Sequence, residues 1–327
     1  MLYITSKDKN DVQTAYKVLH NELPVNSGCY LPFHLPCLQA TQIDALANKS
    51  FGQIIADIMN IFYSAQLNGW DVDFSLGRNP VKIKAVGSKT FCAELWHNAS
   101  GSFDHLAQSL YGKICNCETP NQPTVWFFIT VRIAVLFAIY GALLAQGAAD
   151  NRSIIDISLA LGADLSDPAA VFYARKMGLP IGKVICACAE NSAAWQILFR
   201  GARHSGTDMP LSFEALLHSA LGLEGMQAFL QQADDPAESN WADLKDNIFV
   251  TTVGQQRVDS IIGSTYATAQ YIYDTASAMA FGGLQDYRSS TGESRNAIVL
   301  MDKTPMAEIT HITNLLGISQ QKLSEMI

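Results

Sequence analysis

Glu94, His97, Asp104 and His105 fall within a single short segment, Phe91 to Gln108, reading FCAELWHNASGSFDHLAQ. Carboxylates and imidazoles trade protons near neutral pH. On a loop open to a cleft, the adjacent Asp104 and His105 would make an acid–base pair, with His97 and Glu94 a few residues upstream. Ser100 and Ser102 add hydroxyls for ligand contact. They lack the Gly-x-Ser-x-Gly elbow of a hydrolase nucleophile, so a serine nucleophile is not indicated. Plainer roles compete with each of these. Asp104 can cap the helix that follows Phe103, or face solvent, and His105 can be an ordinary helix residue. Seven cysteines, including the pairs Cys115/Cys117 and Cys186/Cys188 in C-x-C spacing, do not give the ligand spacing of a metal site. Buried free thiols are expected instead, and no metal.

Two more candidates lie downstream. Arg132 interrupts an otherwise apolar run, residues 124–146, that approaches the length of a membrane span. An arginine there is costly in lipid, so a helix surrounded by protein is expected, with Arg132 on an acidic partner or on a ligand carboxylate. Asp164 follows a strand-like run, 153–161, where ligands bind in open α/β sheets; capping of a loop is its plainer role.

The elements that must hold these residues follow an α/β rhythm. Thr41 to Ser64 has helical apolar spacing, with Thr41 and again Ser50 placed as caps. Residues 80–95 end in a short strand, and a helix runs from the Asp104 loop to about Gly112. Ser153–Leu161 and Lys183–Ala189 read as strands around a helix, Asp167–Met177, that has Pro168 in its first turn and Gly178 as its stop. That is a βαβ unit with a right-handed crossover, and it would put Cys186 and Cys188 on one strand face. Helices are expected over 205–245, a short strand over Asn247–Val253, and one helix from Thr265 to Leu284. A last strand, Ala297–Met301, and a closing helix pair, Pro305–Ile327, complete the chain. The 327 residues suffice for one large core or two modest ones. A net charge of −8 without a Lys/Arg run argues against nucleic-acid or anionic-membrane partners. The opening MLYITSKDKND has no apolar signal region, so a cytoplasmic location is expected.

Several of these stretches carry a resemblance. AELWHNASGSFDHL resembles the ELFHGPT-AFKD motif of threonine synthase, a pyridoxal-phosphate (PLP) enzyme of fold type II; Glu94, Leu95, His97 and Phe103 match in place. YARKMGLPIGKVICA, from Tyr173, is similar to the family's YAKKMGLPIKRLICA and is the most specific match. Residues 3–7 resemble its opening Y-x-S-T-R, LPVNSGCYLP its LAPDGGLYVP, and TVRI-AVLFAIYG its buried NWARI-AQIVYYF helix. The resemblance implies an α/β fold: a truncated fold type II (tryptophan synthase β-like) large domain, its mostly parallel sheet flanked by helices, with a helical N-terminal lobe. The lobe would occupy 1–79 and the core 80–327.

The same resemblance implies losses at the cofactor site. The family's PLP lysine is Asp104 here, and a carboxylate forms no Schiff base. Lys82, Lys84, Lys89 and Lys113 are the nearest lysines in sequence, and solvent-facing charge is the plainer reading of Lys82 and Lys84. The phosphate-cradling PTGNFG corresponds to Leu161–Ser166, where Asp164 adds a negative charge. The ATAHPAKF end motif becomes Met301 to Glu308, with Asp302 where the family has the hydroxyl facing the pyridine nitrogen; Asp274 to Phe281 stands for DPHTAVGY. The mobile small domain, with its SGDTG loop, is expected to be missing near 113–123. No cofactor is therefore expected. The expected function is a PLP-independent enzyme acting by acid–base chemistry on a small biosynthetic intermediate in the former PLP cleft, of lyase, isomerase or cyclase type. The alternative is an inactive pseudoenzyme that dimerises or binds a protein over the former lid surface.

Overall fold

The computed structural model describes residues 1–20, 24, 28–77, 80–98, 101–116, 123–150, 152–162, 164–190, 192–195, 210–231, 244 and 246–327. Its N-terminal lobe joins helices to a small antiparallel sheet. β1 (Leu2–Thr5) lies between β2 (Gln13–Thr14) and β3 (Tyr30–Pro32). The helices are α1 (Ala15–His20), α2 (Ala40–Asp44), α3 (Phe51–Tyr63) and α4 (Gly69–Leu76). Ser50 and Gln53 form a reciprocal capping box that starts α3, as the sequence suggests. Upstream, the cap is Gln39 rather than Thr41: the Gln42 side chain accepts from Gln39 N–H at 2.8 Å, and Gln42 N–H donates to the Gln39 carbonyl at 2.9 Å.

The core sheet has six strands. β4 (Lys82–Ala85) and β5 (Thr90–Glu94) form an antiparallel hairpin at one edge, so residues 80–95 hold two strands rather than one. β5, β6 (Ile155–Ala160), β7 (Ile181–Cys188), β8 (Ile248–Thr252) and β9 (Ala297–Met301) are parallel, and the order is β4-β5-β9-β6-β7-β8. The last strand in sequence thus sits in the middle. β9 is buried along its whole length, as a parallel strand covered on both faces requires. Ala93, Cys186, Cys188 and Leu300 face one apolar cluster; Cys92, Ile185, Ala187 and Val299 face the other. The first cluster runs from Tyr3 to Leu300 and takes in both lobe and core.

Helices α5 (Phe103–Cys115), α6 (Val125–Ala145), α7 (Ser166–Lys176) and α8 (Leu211–Gln231, kinked at Gly222) pack around the first cluster. α6 is long and apolar enough to cross a membrane, but most of it is buried inside the protein. Where the sequence suggests one helix over 265–284 there are two, α9 (Gln255–Ala269) and α10 (Thr275–Thr291). Gln270 takes a left-handed conformation that ends the first, and the Asp274 side chain accepts from Ser277 N–H to start the second. α11 (Ile309–Leu316) and α12 (Gln320–Met326) close the chain. The KMGLPI turn depends on Gly178: its φ is +104°, and a Cβ there would lie 2.6 Å from the Leu38 carbonyl oxygen.

Candidate active site

A cavity of about 560 Å³ opens at the C-terminal ends of β6 and β9, where open α/β sheets bind ligands. Its walls come from the first turns of α5, α7 and α10 and from the segment after β9. Phe103 N–H donates to the Asp302 carbonyl at 3.0 Å, and Ser102 pairs with Lys303 as an isolated antiparallel bridge. This zips the start of α5 to the end of β9. The Ser102 hydroxyl accepts from His105 N–H at 3.4 Å, so Ser102 is the cap and Asp104 stands in the first turn, exposed on the cavity wall.

Arg132 forms the floor. Its Nε donates to Asp167 at 2.8 Å, its two terminal nitrogens grip Asp302 at 2.7 and 2.8 Å, and its guanidinium lies 3.5 Å from the centre of the Phe103 ring. Burial works against its charge, but Asp167 and Asp302 outweigh that and hold it firmly protonated. Burial pushes the Asp167 carboxyl up to about 7; Arg132 opposes the rise, while Asp302 and Asp164 add to it. Burial also pushes Asp274 up to about 6, against its bond from Ser277 and with Glu308 and Asp302 adding to the rise. Glu308 accepts from Thr275 N–H at 3.0 Å and from its hydroxyl.

The turn before α7 has its own hydrogen bonds. Leu165 N–H donates to Ser212 Oγ at 3.0 Å. Ser166 N–H and its hydroxyl both donate to Asp164 Oδ1, at 3.2 and 2.9 Å. These backbone donors at a helix N-terminus are the kind that hold a phosphate, and here they are already engaged by the protein, one of them by a carboxylate. Among the described lining residues there are six carboxylates, Asp104, Asp164, Asp167, Asp274, Asp302 and Glu308, against two cations, Arg132 and Lys303.

The structure therefore brings Asp104, Asp164, Arg132 and Asp302 to one cavity and sets the other candidates apart. Glu94 and His97 do not line it: His97 Nε2 meets Glu94 at 2.6 Å, and the same buried carboxylate takes Tyr271 OH at 2.8 Å and Lys84 Nζ at 3.2 Å. Lys84 is thus partnered rather than simply facing solvent. His105 contributes its backbone to the cap and is not among the lining residues. Ser100 lies outside the described residues. Asp167, Asp274, Glu308 and Lys303 line the cavity although sequence reasoning did not single them out as site residues. Their signal was positional, since Lys303 lies just after a strand, Asp167 in the first turn of a helix, and Asp274 and Glu308 immediately before one. No cluster of His, Cys, Asp and Glu suited to a metal occurs among the described residues.

No protein-family model matches the chain, and no curated protein matches it in sequence. Solved structures do match. Yeast threonine synthase aligns with a TM-score of 0.79 at 14% identity, covering 99% of this chain and 93% of that one. PLP-bound threonine synthase from Brucella melitensis gives 0.76 at 17%, covering 97% and 92%. The Escherichia coli threonine synthase gives 0.71 at 16%, covering 98% and 92%. The chain has a threonine-synthase-like fold.

Proposed function

We propose that this chain is a PLP-independent enzyme that takes a small, amine-bearing cationic intermediate into the cavity and acts on it by proton transfer, as a lyase, isomerase or cyclase. The observation that carries this reading is the excess of carboxylates on the walls, with Arg132 already committed to two of them. An ammonium group gains from such a field and a phosphate is repelled by it. PLP does not suit these residues on three further grounds. Asp104 stands where the resemblance places the lysine, Asp164 engages the Ser166 N–H, and Ser212 engages the Leu165 N–H. Asp104, which makes no side-chain hydrogen bond or ion pair among the described residues, is the candidate proton acceptor. Asp274 and Asp167, raised towards neutrality by burial, are the candidate donors.

The test has two arms. The purified protein is treated with PLP and borohydride and its mass is measured; an unlabelled chain is expected, and a pyridoxyl group fixed on any residue overturns the reading. Calorimetry with 1,4-diaminobutane and with succinate should show binding of the diamine alone, weakened in Asp104→Asn and Asp164→Asn; preference for the dicarboxylate would reject a cation site.

One observation favours a second reading, a non-catalytic protein-binding role. Trp70 is 79% exposed, beside Asp71, which pairs with Lys113 at 3.1 Å near the end of α5. The end of α5 leads into the 113–123 stretch where the resemblance implies that a small domain is missing. A dimer in light scattering that dissociates in Trp70→Ser would support this reading, and a monomer would count against it.

A further inference from the structure

A second cavity, of about 390 Å³, lies at the opposite end of β6 and β7, and its walls carry the opposite charge. Arg175, Lys183 and Arg295 line it together with Asn247, Tyr287 and one carboxylate, Asp246. Arg175 is in the last turn of α7, where a cation suits the helix dipole. Its terminal nitrogens donate to Asn247 Oδ1 at 2.7 Å and to the Gly182 carbonyl. Its Nε is buried, and among the described residues no atom accepts from it. With that Nε closed off from the cavity, contact with a ligand falls to the terminal nitrogens, each of which carries a second N–H. Among the described residues Lys183 Nζ donates only to the Asp246 carbonyl. Among the described residues neither Arg175 nor Lys183 has a carboxylate within ion-pair distance. Arg295 is partly neutralised, by Glu293 at 3.2 Å and Asp156 at 3.9 Å. Asp156 also accepts Lys183 N–H at 2.7 Å behind Gly182, where a Cβ would strike it.

We propose that this cavity binds a protonated tetrahedral oxyanion, phosphate or the phosphoryl group of a monoester, through Arg175, Lys183 and Arg295. Guanidinium and ammonium groups converging on one pocket suit phosphoryl oxygens. Asp246 decides which oxyanion enters. As the one carboxylate among the described lining residues it repels a bare dianion, whereas a phosphate that keeps a proton can donate that O–H to it. The site thus selects phosphate over sulfate, and it does so independently of the acidic cavity.

Calorimetry on the full chain at fixed ionic strength tests this with inorganic phosphate, methyl phosphate and sulfate. Phosphate should bind one-to-one, and sulfate at least about tenfold more weakly, as expected for loss of one charge-assisted hydrogen bond. Lys183→Met should weaken phosphate about tenfold. Asp246→Asn should tighten sulfate and erase the preference, a gain that structural damage would not produce. Asp104→Asn should leave phosphate binding unchanged, separating this site from the acidic one. Methyl phosphate as tight as phosphate would identify a monoester ligand, and weaker binding the free ion; either supports the site. No heat with either phosphate, equal binding in Lys183→Met, or loss of binding in Asp104→Asn would overturn it.

Discussion

Arg132 holds Asp302 by both terminal nitrogens, at 2.7 and 2.8 Å, from a position that is only 2% exposed. The pair ties the middle of α6 to the end of the central strand β9, and Asp167 completes it from α7. Three elements distant in sequence thus meet on one buried cation. The arginine that made the apolar helix look doubtful as a membrane span is the anchor of the cavity floor.

Removing that cation should be severe. Arg132→Met leaves Asp167 and Asp302 facing each other without a counter-charge, a change that typically costs about 3–5 kcal/mol. Urea unfolding is expected to show a loss of this order, with Asp302→Asn losing much less because Asp167 still pairs with the arginine. Equal losses in the two variants would contradict this account.

The acid side of the stability profile separates two buried groups. Asp274 is raised from 3.8 to about 6 by burial, so its contribution is fully present below 3.8 and is lost as pH rises through about 6. The loss is on the order of 2–3 kcal/mol. Asp274→Asn keeps a good helix cap and should flatten that fall. His218 is lowered from 6.5 to about 4 by burial, with Lys176 adding to it, and its ring meets Tyr173 OH at 2.7 Å. Its contribution is present above 6.5 and is lost as pH falls through about 4. His218→Gln should therefore lose stability less steeply on acidification. Unfolding free energies measured across this range for the three proteins check both signs.

Gly178→Ala tests the best-matched motif. At φ +104° an alanine is strained, and its methyl group would press on the Leu38 carbonyl. The neighbouring Leu38 N–H to Met177 O bond, 2.8 Å, would be displaced with it. A loss of about 1–3 kcal/mol is expected, read as a lowered urea midpoint at unchanged slope.

Placing a lysine at position 104 should not by itself create a cofactor site. In Asp104→Lys the Ser166 and Leu165 N–H groups remain engaged and Asp164 remains negative. PLP followed by borohydride should label this variant poorly, and Asp104→Lys/Asp164→Gly better. Full labelling of the single variant would show that the occupied turn is no obstacle.

Much of the architecture could be read from local signals. The strand at 297–301 is a continuous apolar run, the one at 155–160 shows Ile155, Ile157 and Leu159 in alternation, and Ser50 and Gln53 announce α3. The break at 270–274 was hidden because Gln270 to Tyr273 carry no Gly or Pro to mark a stop, and the apolar run continues through Tyr271, Ile272 and Tyr273 into the cap, Asp274. The position of β9 between β5 and β6 is a long-range pairing with no local mark. At the site, Asp104, Asp164 and Asp302 were visible through their departures from a familiar motif. Asp167 and Glu308 read as helix-start residues, and only the folded sheet shows them facing the same space. Glu94 and His97 misled for the converse reason: nearness in sequence to Asp104 did not become nearness in the cavity, because Tyr271 and Lys84 hold Glu94 elsewhere.

The apolar cluster that begins at Tyr3 and ends at Leu300 makes the lobe and the sheet halves of one interior. Neither 1–79 nor 80–327 can cover its side of that interior alone, so the chain should melt in a single cooperative step. Either fragment expressed separately should precipitate, and co-expression of the two should return soluble protein.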